Sequence, residues 1–398
     1  MQVSLIDEGD YGRQMRDVVL PALAGCRHEG WMPPTQVVAV RGGDIDAPGE
    51  DAGDDTVDEA GAGTVHDTVD DAGFQATDGA DGGHVSTAPN ALHYVCYDAS
   101  EFDQLSIPGA SGTFRGSIVI AHGFTEFAAK YAEMAWYFLL AGYSVCILEQ
   151  RGHGFSPHEV SDPNLVWIDD WRRYAEDLAK FARTVGRSYS NGKPMHLYAH
   201  SMGGGVGAAV LEKYPSLFDR AVLSSPMIEP VTGMPAALAA PTSALATAIG
   251  LGKRRAPGQK DFPRTFDMSR SQGASEPRVR SYFEMRSADA HYQTNAATFG
   301  WVAQAFAMSR SILDRESCAR VQTPILLFQA GRDTWVRNEV QNRFVQSVRA
   351  ESGDVVLERI EPSVHEIFSM PNDVLGHYLE RIFDFLAESI DEMIVQAQ

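Results

Sequence analysis

The chain has little of what would make it a secreted, membrane-spanning or metal-built protein. Its four cysteines, Cys26, Cys96, Cys146 and Cys318, are scattered with no Cys-x-x-Cys pair. That argues against a disulfide framework and favours free thiols in a reducing compartment. No spacing of His, Cys or acidic residues suggests a metal site, and no metal or organic cofactor is expected. No uncharged apolar run approaches the roughly 20 residues needed to cross a bilayer. The longest mild candidate, Pro235 to Gly252, is Ala-rich and interrupted by Pro241. The opening MQVSLIDEGDYGRQMRDVVL turns acidic early and has no long apolar core, so no secretory leader is expected. These absences predict a cytoplasmic protein, at most peripheral to a membrane.

Positive charge is the next scarcity. The net charge is −20, and thirteen of those charges come from Gly43 to Asn90, a stretch with no Lys or Arg at all. No basic stripe with interleaved aromatics appears, which argues against nucleic acid as a partner. The same stretch is nearly free of aromatic and long aliphatic residues and contains a near-repeat, DTVDEAG at Asp55–Gly61 and DTVDDAG at Asp67–Gly73. It cannot bury enough apolar surface to offset its ordering entropy, so residues 43–90 read as a disordered acidic insertion. Its Asp spacing fits no EF-hand loop.

What is present is a strong alternation. Apolar runs such as RGSIVIAHG, SVCILEQ, PMHLYAH, FDRAVLSS, PILLFQAG and VVLERIE alternate with helical patterns such as KYAEMAWYFLLAGY, WIDDWRRYAEDLAKFARTVGRSY and RNEVQNRFVQSVRA. Strand and helix in turn predict an α/β fold with a mostly parallel sheet flanked by helices. The alternation stops at Pro226 and resumes near Cys318, with no convincing buried strand between. The chain accordingly divides into an N-terminal extension (1–42) expected to pack on the core, the acidic insertion (43–90), a first core part (91–225), a helical cap (226–318) and a second core part (319–398).

Within LYAHSMGGGVGAAV, Ala199-His200-Ser201-Met202-Gly203 approximates Gly-x-Ser-x-Gly between a strand and a helix. That pattern holds a serine on a tight turn whose flanking positions, Ala199 and Gly203, must be small. A Gly-rich helix start serving only packing fits the same residues. A serine nucleophile needs a base, and the base an orienting acid. His365 follows the last expected strand and Asp333 the one before it, which places both at the sheet edge expected for Ser201. His200 is adjacent to Ser201 in the chain and reads as structural. An oxyanion hole would combine the backbone amides of Met202 and of Phe124, the latter after the third strand; His122 and Gly123 would shape that loop. The loop EQRGHGFS, Glu149 to Ser156, lacks the spacing of a phosphate loop and reads as a tight turn in the pocket wall.

Taken together, HGFTE, RGHGFS, AHSMGGG, LSSPMI, GRDTWV and HEI resemble the lysophospholipase L2 / monoacylglycerol lipase branch of the α/β-hydrolases, from about Leu92 to Phe385. The opening DYGRQMRDVVLPALAGCRHEGWM is similar to that branch's N-terminal extension. The resemblance implies a serine carboxylester hydrolase acting on monoacyl lipids, with Ser201, Asp333 and His365 matching the triad. Ala199 departs from the first elbow glycine, Glu149 stands where the branch usually has Asp, and the acidic insertion has no counterpart. Lysophospholipase is the reading preferred here, with monoacylglycerol lipase or proline-type aminopeptidase as alternatives on the same fold; a degenerate scaffold with an acidic interaction segment is the alternative outside enzymes. Lys253 to Arg286 holds nine Lys or Arg against four Asp or Glu, just after an apolar Ala-rich run. That pairing suits an acyl chain with a phosphate head group, or an anionic membrane surface touched through the cap; a basic loop balancing local acids suits it equally. No obligate protein partner is implied.

Overall fold

The computed structural model describes residues 3–36, 90–269 and 271–396. The acidic stretch expected to be disordered lies outside the described residues as far as residue 89. Ten strands are described: β1 (Arg27–Met32), β2 (Leu92–Tyr97), β3 (Gly116–Ala121), β4 (Tyr143–Leu148), β5 (Leu165–Val166), β6 (Met195–His200), β7 (Ala221–Ser224), β8 (Ala296–Ala297), β9 (Ile325–Ala330) and β10 (Val355–Ile360). Eight of them form one sheet in the order β1-β2-β4-β3-β6-β7-β9-β10, and β5 with β8 makes a separate two-stranded ribbon. From β4 to β10 every neighbour is parallel, while β1 and β2 run antiparallel at one edge.

The central strands are near-continuous apolar runs because both faces of the sheet are covered. Every residue of β3, β4, β6, β7 and β9 is buried. Side chains alternate across a strand, and the core divides accordingly: Val119 and Ala121 of β3 enter one apolar cluster, Ile118 and Ile120 the other. The helices that cover the sheet and lie beside the site are α1 (Ala132–Leu140), α2 (Arg172–Phe181), α3 (Met202–Lys213), α4 (Ala236–Ala246), α5 (Glu276–Ala288), α6 (Phe299–Ile312), α7 (Asn338–Ala350) and α8 (Asn372–Gln396).

Three differences from the sequence reading have physical causes. The helix expected from Trp167 begins at Arg172, because Leu165 and Val166 pair instead with β8. That ribbon also puts a two-residue strand inside the 226–318 segment, too short to show as an apolar run. Finally, β1 (RHEGWM) joins the sheet although its side chains are mostly exposed and polar, as befits an edge strand. Before it, Tyr11, Met15, Val19 and Leu23 recur at four-residue spacing and are all buried in the core.

The register Ala121↔Ala199 and His200↔Ser224 brings the carboxyl ends of β3, β6 and β7 level. Loops leaving those ends, and those of β9 and β10, therefore share one edge, where open α/β sheets build their sites.

Candidate active site

Ser201 links β6 to α3 with φ 53° and ψ −118°, a conformation L residues avoid unless their surroundings impose it. Here they do. Its N–H donates to Ser224 O at 3.1 Å, and its carbonyl accepts from Gly205 at 3.1 Å and Met227 at 2.7 Å. The helix can close behind the turn only because Gly203 is bare, since a Cβ there would collide with the Ala121 and His122 carbonyls. The Ala199 methyl is accommodated in the same way: it faces Gly207, where a Cβ would come within 3.2 Å of it.

The structure brings Ser201, Asp333 and His365 together from three loops. Ser201 Oγ lies 2.8 Å from His365 Nε2, and His365 Nδ1 lies 2.7 Å from Asp333 Oδ2. Asp333 Oδ1 also accepts from the backbone N–H groups of Trp335 at 2.8 Å and Val336 at 3.1 Å. Burial pushes the Asp333 carboxyl up, but the bond to His365 and these two amides outweigh it and hold the group below its ordinary value. An ionised carboxylate can only accept, so Nδ1 carries the imidazole proton and Nε2 is free to accept from the Ser201 hydroxyl.

The loop after β3 is braced from below. Gln150 N–H donates to His122 Nε2 at 2.9 Å, so Nδ1 carries the proton and donates to Gly123 O at 2.8 Å. Burial keeps this imidazole neutral by lowering its pKa. The Gly123 N–H donates to Glu126 Oε2 at 2.6 Å. By contrast, the amides of Phe124 and Met202 have no partner among the described residues. His200, adjacent to Ser201, points away from it: Nδ1 faces Ser224 O at 3.2 Å, and burial pushes its pKa down to about 4. Its ring nevertheless lies 4.9 Å from that of His365.

Glu149 is fully buried and accepts from the Ala128 amide at 2.9 Å and the Phe155 amide at 2.7 Å, with His93 Nδ1 at 2.9 Å. It thus ties RGHGFS to the segment following the Phe124 loop. Gly154, at φ 55°, leaves room for its carboxylate. The longer reach of Glu than Asp is absorbed by these bonds.

Sequence reasoning missed a buried charge cluster beside the site. Glu126, five residues past Ala121, accepts from Lys130 Nζ and from Tyr131 OH, both at 2.6 Å, and Lys130 also meets Glu366 at 2.7 Å. Only the four-residue spacing of Glu126 and Lys130 hinted at it. The 226–318 segment lies over the same edge. Trp301 of α6 packs on Phe124 with ring centroids 4.2 Å apart, and Tyr292 stacks on Phe127 at 3.8 Å.

Among the described residues, the basic side chains of Lys253–Arg286 divide between the interior and the surface. Arg278 and Arg286 are buried, Arg255 pairs with Asp162 and Asp261, and Arg280 with Glu276. Lys253, Arg254, Lys260 and Arg264 are exposed, the first two beside a cavity of about 890 Å³ that His158, Glu159 and Asp162 also line. The four cysteines are free and buried.

Comparison with known proteins bears on the family and the fold. Over 280 residues the chain is 28% identical to lysophospholipase L2 of Escherichia coli (strain K12), an alignment covering 67% of this chain and 79% of that protein. It is 27% identical over 261 residues to a monoacylglycerol lipase of Mycolicibacterium smegmatis, covering 66% of this chain and 85% of the relative. Among solved structures, a thermostable carboxyl esterase from Bacillus coagulans superposes with a TM-score of 0.59 at 17% identity, covering 76% of this chain and 95% of the esterase. That likeness shows the fold. The profile of one sequence family, described as Serine aminopeptidase, S33, matches residues 112–372. That span runs from just before β3 to the first residue of α8 and takes in the Ser201 elbow and the loops of Asp333 and His365, so the chain belongs to this family of α/β-hydrolase serine hydrolases.

Proposed function

We propose that the protein hydrolyses carboxylic esters of monoacyl lipids through an acyl-enzyme, with lysophospholipids as the preferred substrates. The observation that carries this reading is the continuous chain from Ser201 Oγ through His365 to Asp333 at a strained strand–helix turn. Ser201 attacks the ester carbonyl while His365 Nε2 takes its proton. The tetrahedral oxyanion is met by the two unpartnered amides, Phe124 and Met202. His365 then protonates the leaving alcohol, and a water activated by the same nitrogen releases the fatty acid and restores Ser201. Asp333 stays ionised, fixes the tautomer and stabilises the imidazolium.

The ester reading is also supported by the printed names of the relatives, lysophospholipase L2 and monoacylglycerol lipase. Segment 226–318 serves as the cap, with Trp301 closing over Phe124. Its first helix, α4, carries Leu238 and Leu245, seven residues apart, and Ile249 follows in the turn after its end; these are 59, 64 and 65% exposed. Large apolar side chains so exposed on one helical face suit peripheral contact with a lipid surface. No helix among the described residues is long and apolar enough to cross a membrane.

A peptide substrate is the second reading, favoured by the description of the matching family. Rates on matched lysophosphatidylethanolamine, monoacylglycerol and aminoacyl-anilide substrates separate the possibilities. The expected order places lysophosphatidylethanolamine first and the anilide last; turnover of the anilide alone would overturn the ester reading.

A further inference from the structure

The cluster of Glu126, Lys130 and Glu366 sits where three pieces of the site meet. Glu126 fixes the Gly123 amide one residue before Phe124, and Glu366 is the residue after His365. Lys130 joins them. Its side chain is only 3% exposed, Glu126 is 5% and Glu366 is 31% exposed. From α5, the Tyr282 ring lies over the ammonium at 4.0 Å, and its hydroxyl donates to Thr125 O at 3.1 Å, on the residue following Phe124.

A buried ammonium between two carboxylates is a poor way to gain stability, because desolvation consumes most of the Coulomb attraction. It is a good way to hold geometry, because charge-assisted bonds in a dry site are short and directional. We infer that Lys130 is a positioning residue for the Ser201–His365 pair, its ammonium tying the Phe124 loop and the His365 loop into one arrangement that Tyr282 of the cap seals from water. The inference rests on the triad reading proposed above. Lys130 does not touch Ser201 or the reacting carbonyl; it acts by fixing where the oxyanion amide and the imidazole stand. Burial opposes its charge, but Glu126 and Glu366 hold its pKa above the ordinary lysine value. Glu126 stays ionised against the same burial because of the Lys130 charge and the bonds it accepts from Lys130 and Tyr131. His200 is neutral, and the charged groups that face the His365 loop are Asp333, bonded to His365 itself, Arg332, bonded to Pro362 O, and the trio Lys130, Glu126 and Glu366.

The test compares the full-length protein with Lys130→Met, Lys130→Arg, Glu366→Gln and Ser201→Ala, using a short p-nitrophenyl ester that needs no lipid surface. Misplacement of a reacting group by about 1 Å costs on the order of 10²-fold. Lys130→Met is therefore expected to lower kcat about 100-fold with KM within about twofold, and Lys130→Arg to recover most of it. Glu366 is one-third exposed, so Glu366→Gln should fold; it removes the carboxylate charge that Lys130 meets on the His365 side, weakening that bond, and is expected to lower kcat about tenfold at unchanged KM. That variant decides the matter even where Lys130→Met fails to accumulate. Wild-type kcat in Glu366→Gln, with Ser201→Ala inactive, would overturn the positioning role and leave the triad standing. Activity in Ser201→Ala would overturn the triad itself.

Discussion

Two helices of the 226–318 segment use opposite chemistry. α5 turns a polar face inward: Arg278, Tyr282 and Arg286, spaced by four, all bond to the rest of the molecule. Arg278 grips Glu133 of α1 at 2.8–3.0 Å, with further bonds to Met370 O and Asn372, while Tyr11 and Tyr137 donate to the same Glu133. Arg286 caps the carbonyls of Tyr292 and Thr294. α4 does the reverse and offers Leu238 and Leu245 to solvent, continued by Ile249 after its end. One helix is fixed to the hydrolase body by buried charge, and the other is free to meet something apolar.

The largest expected effect breaks the fixed helix. Arg278→Met leaves Glu133 buried with tyrosine hydroxyls but no cation, and loss of one partner of a buried pair costs about 3–5 kcal/mol. Thermal unfolding should register this as a markedly lower Tm. Substitutions on the free helix sharpen the contrast. Leu245→Ser with Ile249→Ser should leave stability within about 0.5 kcal/mol, as exposed positions do. The same pair should lower turnover of a micellar or vesicular monoacyl lipid severalfold, yet leave a soluble short ester unaffected; assays on both substrates check this.

A separate effect concerns pH and lies in the sheet, away from either helix. Burial pushes His200 down to about 4 and His196 to about 3, with Arg220 adding to the shift at His196. Unfolded histidine titrates near 6.5. Below that pH the unfolded chain takes up protons the folded one refuses, so stability is present above about pH 6.5 and declines as pH falls toward 4. His196→Leu should remove its share, making Tm fall less between pH 7 and pH 5 than in the parent protein.

What could be read from sequence followed the same division. Strand runs were legible because both faces of the sheet are apolar, and the Ser201, Asp333 and His365 positions because each lies within five residues of the carboxyl end of its strand. Ala199 departs from the first elbow glycine, and the bare Gly207 opposite gives its methyl room. α5 was illegible in character: its inward side chains are arginines and a tyrosine, so no apolar stripe marks the buried face. Arg278 and Glu133 are 145 residues apart, and nothing local links them. The same holds for Lys130 and Glu366, whose meeting depends on the whole fold. The basic count in Lys253–Arg286 does not tell which side chains face solvent, since Arg278 and Arg286 turn inward while Lys253, Arg254, Lys260 and Arg264 are exposed.

The central claim, that Ser201 is the nucleophile His365 activates, is tested most directly by labelling with a fluorophosphonate probe and measuring kcat on a short p-nitrophenyl ester. The wild-type protein should take the label on Ser201, and Ser201→Ala should take none and lose at least about 10³-fold of kcat. Near-normal turnover in Ser201→Ala, or labelling that persists without Ser201, would contradict the account.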